Sequence, residues 1–187
     1  MNEQDLTIFK SFEDICRKTP SAPFLISPSR NQKGMTTISY QETFEKANKI
    51  STIFLDNGYG NNLRVATLLG STPAHYIVKL ALNKIGVSVV PINPDYSPDE
   101  TAYLLADSGS VLVICTEHYM KQLKTAIAYK DLSIPIVTYD EIETIQTLKP
   151  LSDRRAQVHG NTEASLLYTS GPTGRPKGCI VSHEYEL

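Results

Sequence analysis

Residues 168–178 read Tyr-Thr-Ser-Gly-Pro-Thr-Gly-Arg-Pro-Lys-Gly, a mixture whose types point to the holding of an oligophosphate. Gly171, Gly174 and Gly178 allow positive φ and let backbone N–H groups approach a ligand closely. The hydroxyls of Thr169, Ser170 and Thr173 can donate to anionic oxygens, and Lys177 adds a mobile point charge. Successive backbone N–H groups in such a ribbon form an anion-binding concavity. The pattern is not a Walker loop, which would need Gly where Pro176 stands, a hydroxyl where Gly178 stands, and a helix next. Residue types alone leave a second reading open: an exposed Gly/Pro hairpin joining two strands and carrying Thr, Ser and Lys as loops commonly do.

Other candidates carry less. His75, His118, His159 and His183 lack metal-ligand spacing and read as surface or satisfied core groups, so no metal ligand is assigned. No GxSxG elbow exists for a hydrolase, and no catalytic residue is assigned. Cys16, Cys115 and Cys179 are odd in number, far apart and without a CxxC pair, so all three are expected as buried thiols. Tyr76, Tyr103 and Leu104 read as core packing, and Asp153-Arg154-Arg155 as a solvated turn.

The elements that must position the ribbon alternate between apolar runs and helical patterns. A first helix is expected after Thr7, with Ile8, Phe12 and Ile15 on its apolar face, ending before Pro20. Extended segments near Phe24 to Ser27 and Met35 to Ser39 suggest a hairpin across a polar loop. Ser39 and Glu42 form a capping box for a helix whose stripe is Tyr40, Phe44, Ala47, Ile50 and Phe54, stopping at Asn57-Gly58. Val65 to Leu69 precedes a helix with Thr72 as N-cap, Pro73 in its first turn and Tyr76, Ile77, Leu80 and Ala81 facing inward. Gly86 ends it. The run VSVVPI leads to a second capping box at Ser97 and Glu100, opening a helix closed at Ser108-Gly109. Val111 to Cys115 and Ile134 to Thr138 read as strands around a helix capped by Thr116, and strand–helix–strand order implies parallel pairing. Residues 140–161 are expected as a short helix plus surface linker. Ala164 to Tyr168 is a strand, and Ile180 and Val181 predict that Cys179 to Ser182 is extended, so the ribbon joins strand to strand. Ser182 caps what begins as another helix. The fold class is α/β, a mostly parallel sheet flanked by helices.

The whole chain sets limits on its partners. With 187 residues, 18 Lys and Arg against 20 Asp and Glu, and no basic run beyond Arg154-Arg155, it lacks a footprint for a phosphate backbone, which excludes nucleic acid. The longest apolar stretch, Val111 to Cys115, cannot span a bilayer, and the first residues carry no secretory signal, so cytoplasmic residence is expected. Helix and strand faces left without cover predict self-association of the isolated chain.

Three ordered motifs carry a resemblance to the adenylate-forming enzymes: acyl-CoA synthetases, luciferase-like ligases and peptide-synthetase adenylation domains. Residues 169–178, TSGPTGRPKG, are similar to the family's phosphate-loop signature T-S-G-S/T-T-G-x-P-K-G, departing only at Pro172. ISYQETFEKANKIS resembles the opening helix motif, and LNKIGVSVVPINPDYSPDETAYLLADSG is similar to the segment around K-x-G-x-x-x-V-P-I-N-P. The resemblance covers residues 8–187 and implies that residues 1–187 are the N-terminal part of a large AMP-binding domain, a truncated portion that would not turn over alone. It implies a reaction in which a carboxylic acid attacks the α-phosphate of ATP, with Mg²⁺ assisting, and the acyl group then passes to a thiol, with CoA as co-substrate. Asn93, where peptide-synthetase domains more often have Asp, points to a CoA ligase; an amino-acid adenylation domain is the alternative, and a noncatalytic assembly module is a third reading. Under the resemblance Thr169, Ser170, Thr173 and Lys177 contact the β- and γ-phosphates, with Gly171, Gly174 and Gly178 permitting the backbone path. Pro172 removes a hydroxyl and an N–H from that set, which predicts weakened, not abolished, ATP binding that Pro172→Thr should restore.

Overall fold

The computed structural model describes residues 6–28, 34–145, 157–169 and 175–187. Helix α1 (Ile8–Lys18) starts where the Thr7 side chain accepts from the Lys10 N–H. Strands β1 (Pro23–Pro28) and β2 (Met35–Ser39) pair antiparallel in the expected hairpin. Helix α2 (Tyr40–Asp56) opens on the Ser39–Glu42 capping box, with both reciprocal bonds present.

The remaining strands are β3 (Arg64–Leu68), β4 (Ser88–Pro91), β5 (Leu112–Cys115), β6 (Ile136–Thr138), β7 (Glu163–Thr169) and β8 (Lys177–Ser182), joined in one sheet in the order β6-β5-β3-β4-β7-β8. All neighbours pair parallel except β7 and β8, which are antiparallel. Between them run α3 (Pro73–Lys84), α4 (Pro98–Ser108) and α5 (Met120–Tyr129), and α6 (His183–Glu186) follows β8. α4 also opens on its capping box, Ser97 with Glu100, and ends at Gly109 in the left-handed region.

Alternation along the central strands sorts side chains into two cores, one on each face of the sheet. One unites Phe9, Phe12, Phe54, Ile77, Ala81, Val65, Val89, Leu112 and Ile114, binding α1, α2 and α3 to the sheet. The other unites Ala66, Leu68, Val90, Leu104, Leu105, Val113, Leu123 and Leu166, binding α4 and α5. The architecture is therefore helix, sheet, helix.

Several expectations change at residue level. α1 buries Phe9, Phe12 and Cys16, while Ile15 is 45% exposed. Aromatic partners set this rotation: Phe9 stacks on Phe44 at 5.9 Å, and Phe12 packs against Phe24 at 4.9 Å and Tyr40 at 5.5 Å. Tyr76 is 50% exposed, although the next two residues of α3, Ile77 and Val78, are buried against the core. Thr72 donates its hydroxyl to the Leu69 carbonyl in place of capping α3, and Thr116 precedes a 3₁₀ turn, Glu117–Tyr119, before α5 starts. Cys16 and Cys115 are buried, but Cys179 is exposed, since the edge strand β8 is uncovered there. After β6 a 3₁₀ segment, Tyr139–Thr144, occupies the start of the expected linker; Asp153, Arg154 and Arg155 lie outside the described residues.

Candidate functional site

The ribbon leaves the carboxyl end of β7 and re-enters the sheet as β8. β7 runs parallel to β4, so this is the edge where open α/β sheets bind ligands. Of the expected contacts, Thr169, Lys177 and Gly178 are described; Ser170, Gly171, Thr173 and Gly174, with Pro172, lie outside the described residues. Thr169 and Lys177 are partners in the β7–β8 register, followed by Tyr168 with Gly178 and Leu167 with Cys179. Directly opposed residues share a face of the sheet, so the Thr169 hydroxyl and the Lys177 ammonium project from the same side. Both residues are exposed, while Pro176, between Arg175 and Lys177, is buried. An alcohol and an ammonium on one side of a strand pair, flanking residues 170–174, suit anionic oxygens.

The opposite face carries Tyr168 and Gly178. Leu166 and Tyr168 pack into the core formed by α4 and α5. A Cβ on Gly178 would stand 3.0 Å from Leu166 Cδ1 and 3.2 Å from Tyr168 Cζ, so glycine here makes room for the Tyr168 ring across β8. Burial, then the neighbouring Asp107 carboxylate, raises the Tyr168 hydroxyl above its ordinary pKa and keeps it a donor.

Three connections hold β7 from below. Asn83, fully buried on α3, donates Nδ2 to the carbonyls of Ala164 at 2.8 Å and Val87 at 3.2 Å. Lys79 Nζ donates to Ser165 Oγ at 2.7 Å and pairs with Glu186 at 2.6 Å. Arg64 grips Glu163 bidentately, Nε to Oε1 at 2.7 Å and Nη2 to Oε2 at 2.8 Å, and its Nη1 donates to the Ser108 carbonyl at 3.0 Å. Burial alone would raise the Glu163 pKa; the Arg64 guanidinium and the nearby Ser88 hydroxyl together outweigh it and leave that carboxyl below its usual range. Sequence reading missed these residues. Arg64 and Glu163, each opening a strand at opposite charge, were the one readable signal, and pairing them requires knowing that the two strands lie in one sheet.

His183 is fully buried, its Nδ1 accepting from the Ile8 N–H at 3.4 Å and its Nε2 without a partner among the described residues. It is therefore a core histidine, incompletely satisfied. Among the described residues no three His, Cys, Asp or Glu side chains gather into a metal site. The described part of the ribbon offers an alcohol and an ammonium to anionic oxygens but brings no carboxylate set for Mg²⁺. No helix of the described residues is long and apolar enough to cross a membrane.

Comparison with known proteins agrees with this architecture. Among curated relatives, a dimodular nonribosomal peptide synthase of Bacillus subtilis (strain 168) is 29% identical over 149 residues, 79% of this chain and 6% of that protein. Tyrocidine synthase 2 of Brevibacillus parabrevis is 27% identical over 180 residues, 96% of this chain and 5% of that protein. Among solved structures, a Mycobacterium tuberculosis fatty acyl CoA synthetase superposes with a TM-score of 0.78 at 22% identity, over 95% of this chain and 35% of that one. The Klebsiella oxytoca NpsA N-terminal subdomain gives 0.72 at 22% identity, over 96% of this chain and 43% of that one. The chain thus spans a few per cent of the length of these curated relatives and less than half of these solved chains. Residues 12–187, from the middle of α1 through the whole sheet and its ribbon, match the model of the AMP-binding enzymes, and the chain belongs to that family.

Proposed function

We propose that this chain supplies the pyrophosphate-holding part of an ATP-dependent ligase that activates a carboxylic acid as its acyl-adenylate. In that reaction a carboxylate oxygen attacks the α-phosphorus, the bond to the bridging oxygen breaks, and its electron pair leaves on pyrophosphate. Donors fixed where this charge grows lower the barrier. The single observation that carries the reading is the Thr169–Lys177 cross-strand pair at the carboxyl end of β7. Thr169, Ser170, Thr173 and Lys177 are the proposed donors to the β- and γ-phosphates, and Gly171, Gly174 and Gly178 shape the path. Mg²⁺, when bound, would neutralise phosphate charge.

The proposed acceptor is the thiol of CoA, on the strength of Asn93 in Val-Pro-Ile-Asn-Pro. A second reading, activation of an amino acid for a carrier-bound thiol, is favoured by the nonribosomal peptide synthase among the curated relatives. Pyrophosphate exchange with a panel of carboxylic and amino acids, on a form that extends past residue 187, separates the two. Cytoplasmic residence and self-association of the isolated chain belong to the same proposal; exposed Leu167, Ile180, Tyr185 and Leu187 support the latter.

The direct test is titration of the 187-residue chain with inorganic tripolyphosphate by calorimetry. Lys177→Ala removes a charge-assisted donor and should weaken binding at least about tenfold. Equal affinity in parent and variant would remove the ribbon from the polyphosphate site.

A further inference from the structure

We propose that α4 is the platform that positions the ribbon, with Asp107 taking hold of the strand entering it and Tyr103 of the residue leaving it; the inference rests on the polyphosphate reading of Thr169 and Lys177. Tyr168, the residue before Thr169, donates its hydroxyl to Asp107 Oδ2 at 2.7 Å. Arg175, two residues before Lys177, holds its guanidinium 5.3 Å from the Tyr103 ring centroid, within cation–π range. Tyr103 and Asp107 stand four residues apart, on one face of α4, and the Tyr103 hydroxyl reaches toward Asp107 Oδ1 at 3.5 Å. One helical turn therefore touches both flanks of the ribbon.

The sheet's alternation gives this arrangement its purpose. Tyr168 and Gly178 face α4, whereas Thr169 and Lys177 project from the other side. Holding the Tyr168–Gly178 pair against α4 fixes the height and tilt of the neighbouring Thr169–Lys177 pair, whose polar groups project from the opposite side of the strand pair. α4 is itself anchored: its last residue, Ser108, receives the Arg64 Nη1 bond, and Leu104 and Leu105 are buried in the core beneath. Lys130 lies 5.4 Å from the same Tyr103 ring and 3.9 Å from Asp99 at the start of α4. A platform fastened along its length to the sheet and to α5 can hold a binding geometry that an exposed strand pair at the sheet edge would otherwise have to order at each binding event.

Tyr103 and Asp107 are thus positioning residues, acting through Tyr168 and Arg175. The test titrates inorganic tripolyphosphate into the 187-residue chain and its variants. Tyr168→Phe, which removes only a hydroxyl, and Asp107→Ala, an exposed helix change, should each raise Kd roughly three- to tenfold. The double variant should show no more than the larger single effect, because both remove one bond. Asp107→Asn keeps an acceptor and should stay within about twofold of the parent. Tyr103→Leu should also raise Kd, and Arg175→Ala should add nothing to it. In Asp107→Ala the phenol absorbance of Tyr168, read against Tyr168→Phe, should appear at lower pH than in the parent. If Lys177→Ala loses binding while Tyr168→Phe and Asp107→Ala bind as the parent, or if their effects simply add, the platform is refuted and the ribbon reading stands. If Lys177→Ala binds as the parent, the ribbon reading fails and takes the platform with it.

Discussion

His183 shows what a single side chain can impose. Burial pushes its pKa down to about 4, the Glu186 carboxylate on its own helix pulls the other way, and the Lys79 ammonium on α3 lowers it further. The Ile8 N–H at the start of α1 points at Nδ1, so the positive end of that helix also disfavours an imidazolium. The native chain therefore binds fewer protons here than the unfolded one, whose imidazole titrates near 6.5. The stability this contributes is complete above about pH 6.5 and is lost as pH falls toward 4. Denaturant unfolding at pH 7 and pH 4.5 should show the parent losing about 2 kcal/mol more than His183→Asn, after allowing for solvent screening. Parallel losses in both proteins would show that the imidazole does not drive the change. Nothing in the sequence distinguished this histidine from the other three, because its burial depends on α1 arriving from the opposite end of the chain.

At the level of elements, the sequence was most readable where a local bond decides the outcome. Both capping boxes, Ser39 with Glu42 and Ser97 with Glu100, form as expected, and so does the extended segment after the ribbon, which the structure pairs antiparallel with β7. It was least readable where tertiary packing decides, as for Ile15 and Tyr76, which lie outside the stripes their spacing suggested. The two strands flanking the ribbon were legible from their apolar runs, though each extends further toward the ribbon than expected; the support of β7 by α3 was hidden, because Asn83 sits in a helical pattern that gives no hint of two carbonyls beside it. β4 and β7 share one registered pair, Val89 with Ser165, so the Asn83 bonds supply part of the tie that ladder bonds give elsewhere. Asn83→Ala should cost about 1–3 kcal/mol, because the Ala164 and Val87 carbonyls lose a buried donor. A lower denaturant midpoint with unchanged slope would bear this out, and an unchanged midpoint would not.

Across the whole molecule the α/β class and the parallel character of the sheet were legible from alternation of elements, but the strand order was not. β5 lies beside β3, not β4, and β7 crosses to the far side of β4; such choices belong to the packing of whole layers. The same order leaves β8 at an edge, with Ile180 62% exposed and Leu167, Tyr185 and Leu187 uncovered nearby. Light scattering on the isolated chain should report species above the monomer mass, diminished by Ile180→Lys, which places a charge on the edge. A monomer at all concentrations would discount that surface.

The Ile8–His183 bond spans 175 positions of sequence. In synthesis the first turn of α1 precedes this partner and gains it only after the whole of β8 has been made. A chain cut before residue 183 should consequently hold the first turn of α1 less firmly than the 187-residue chain.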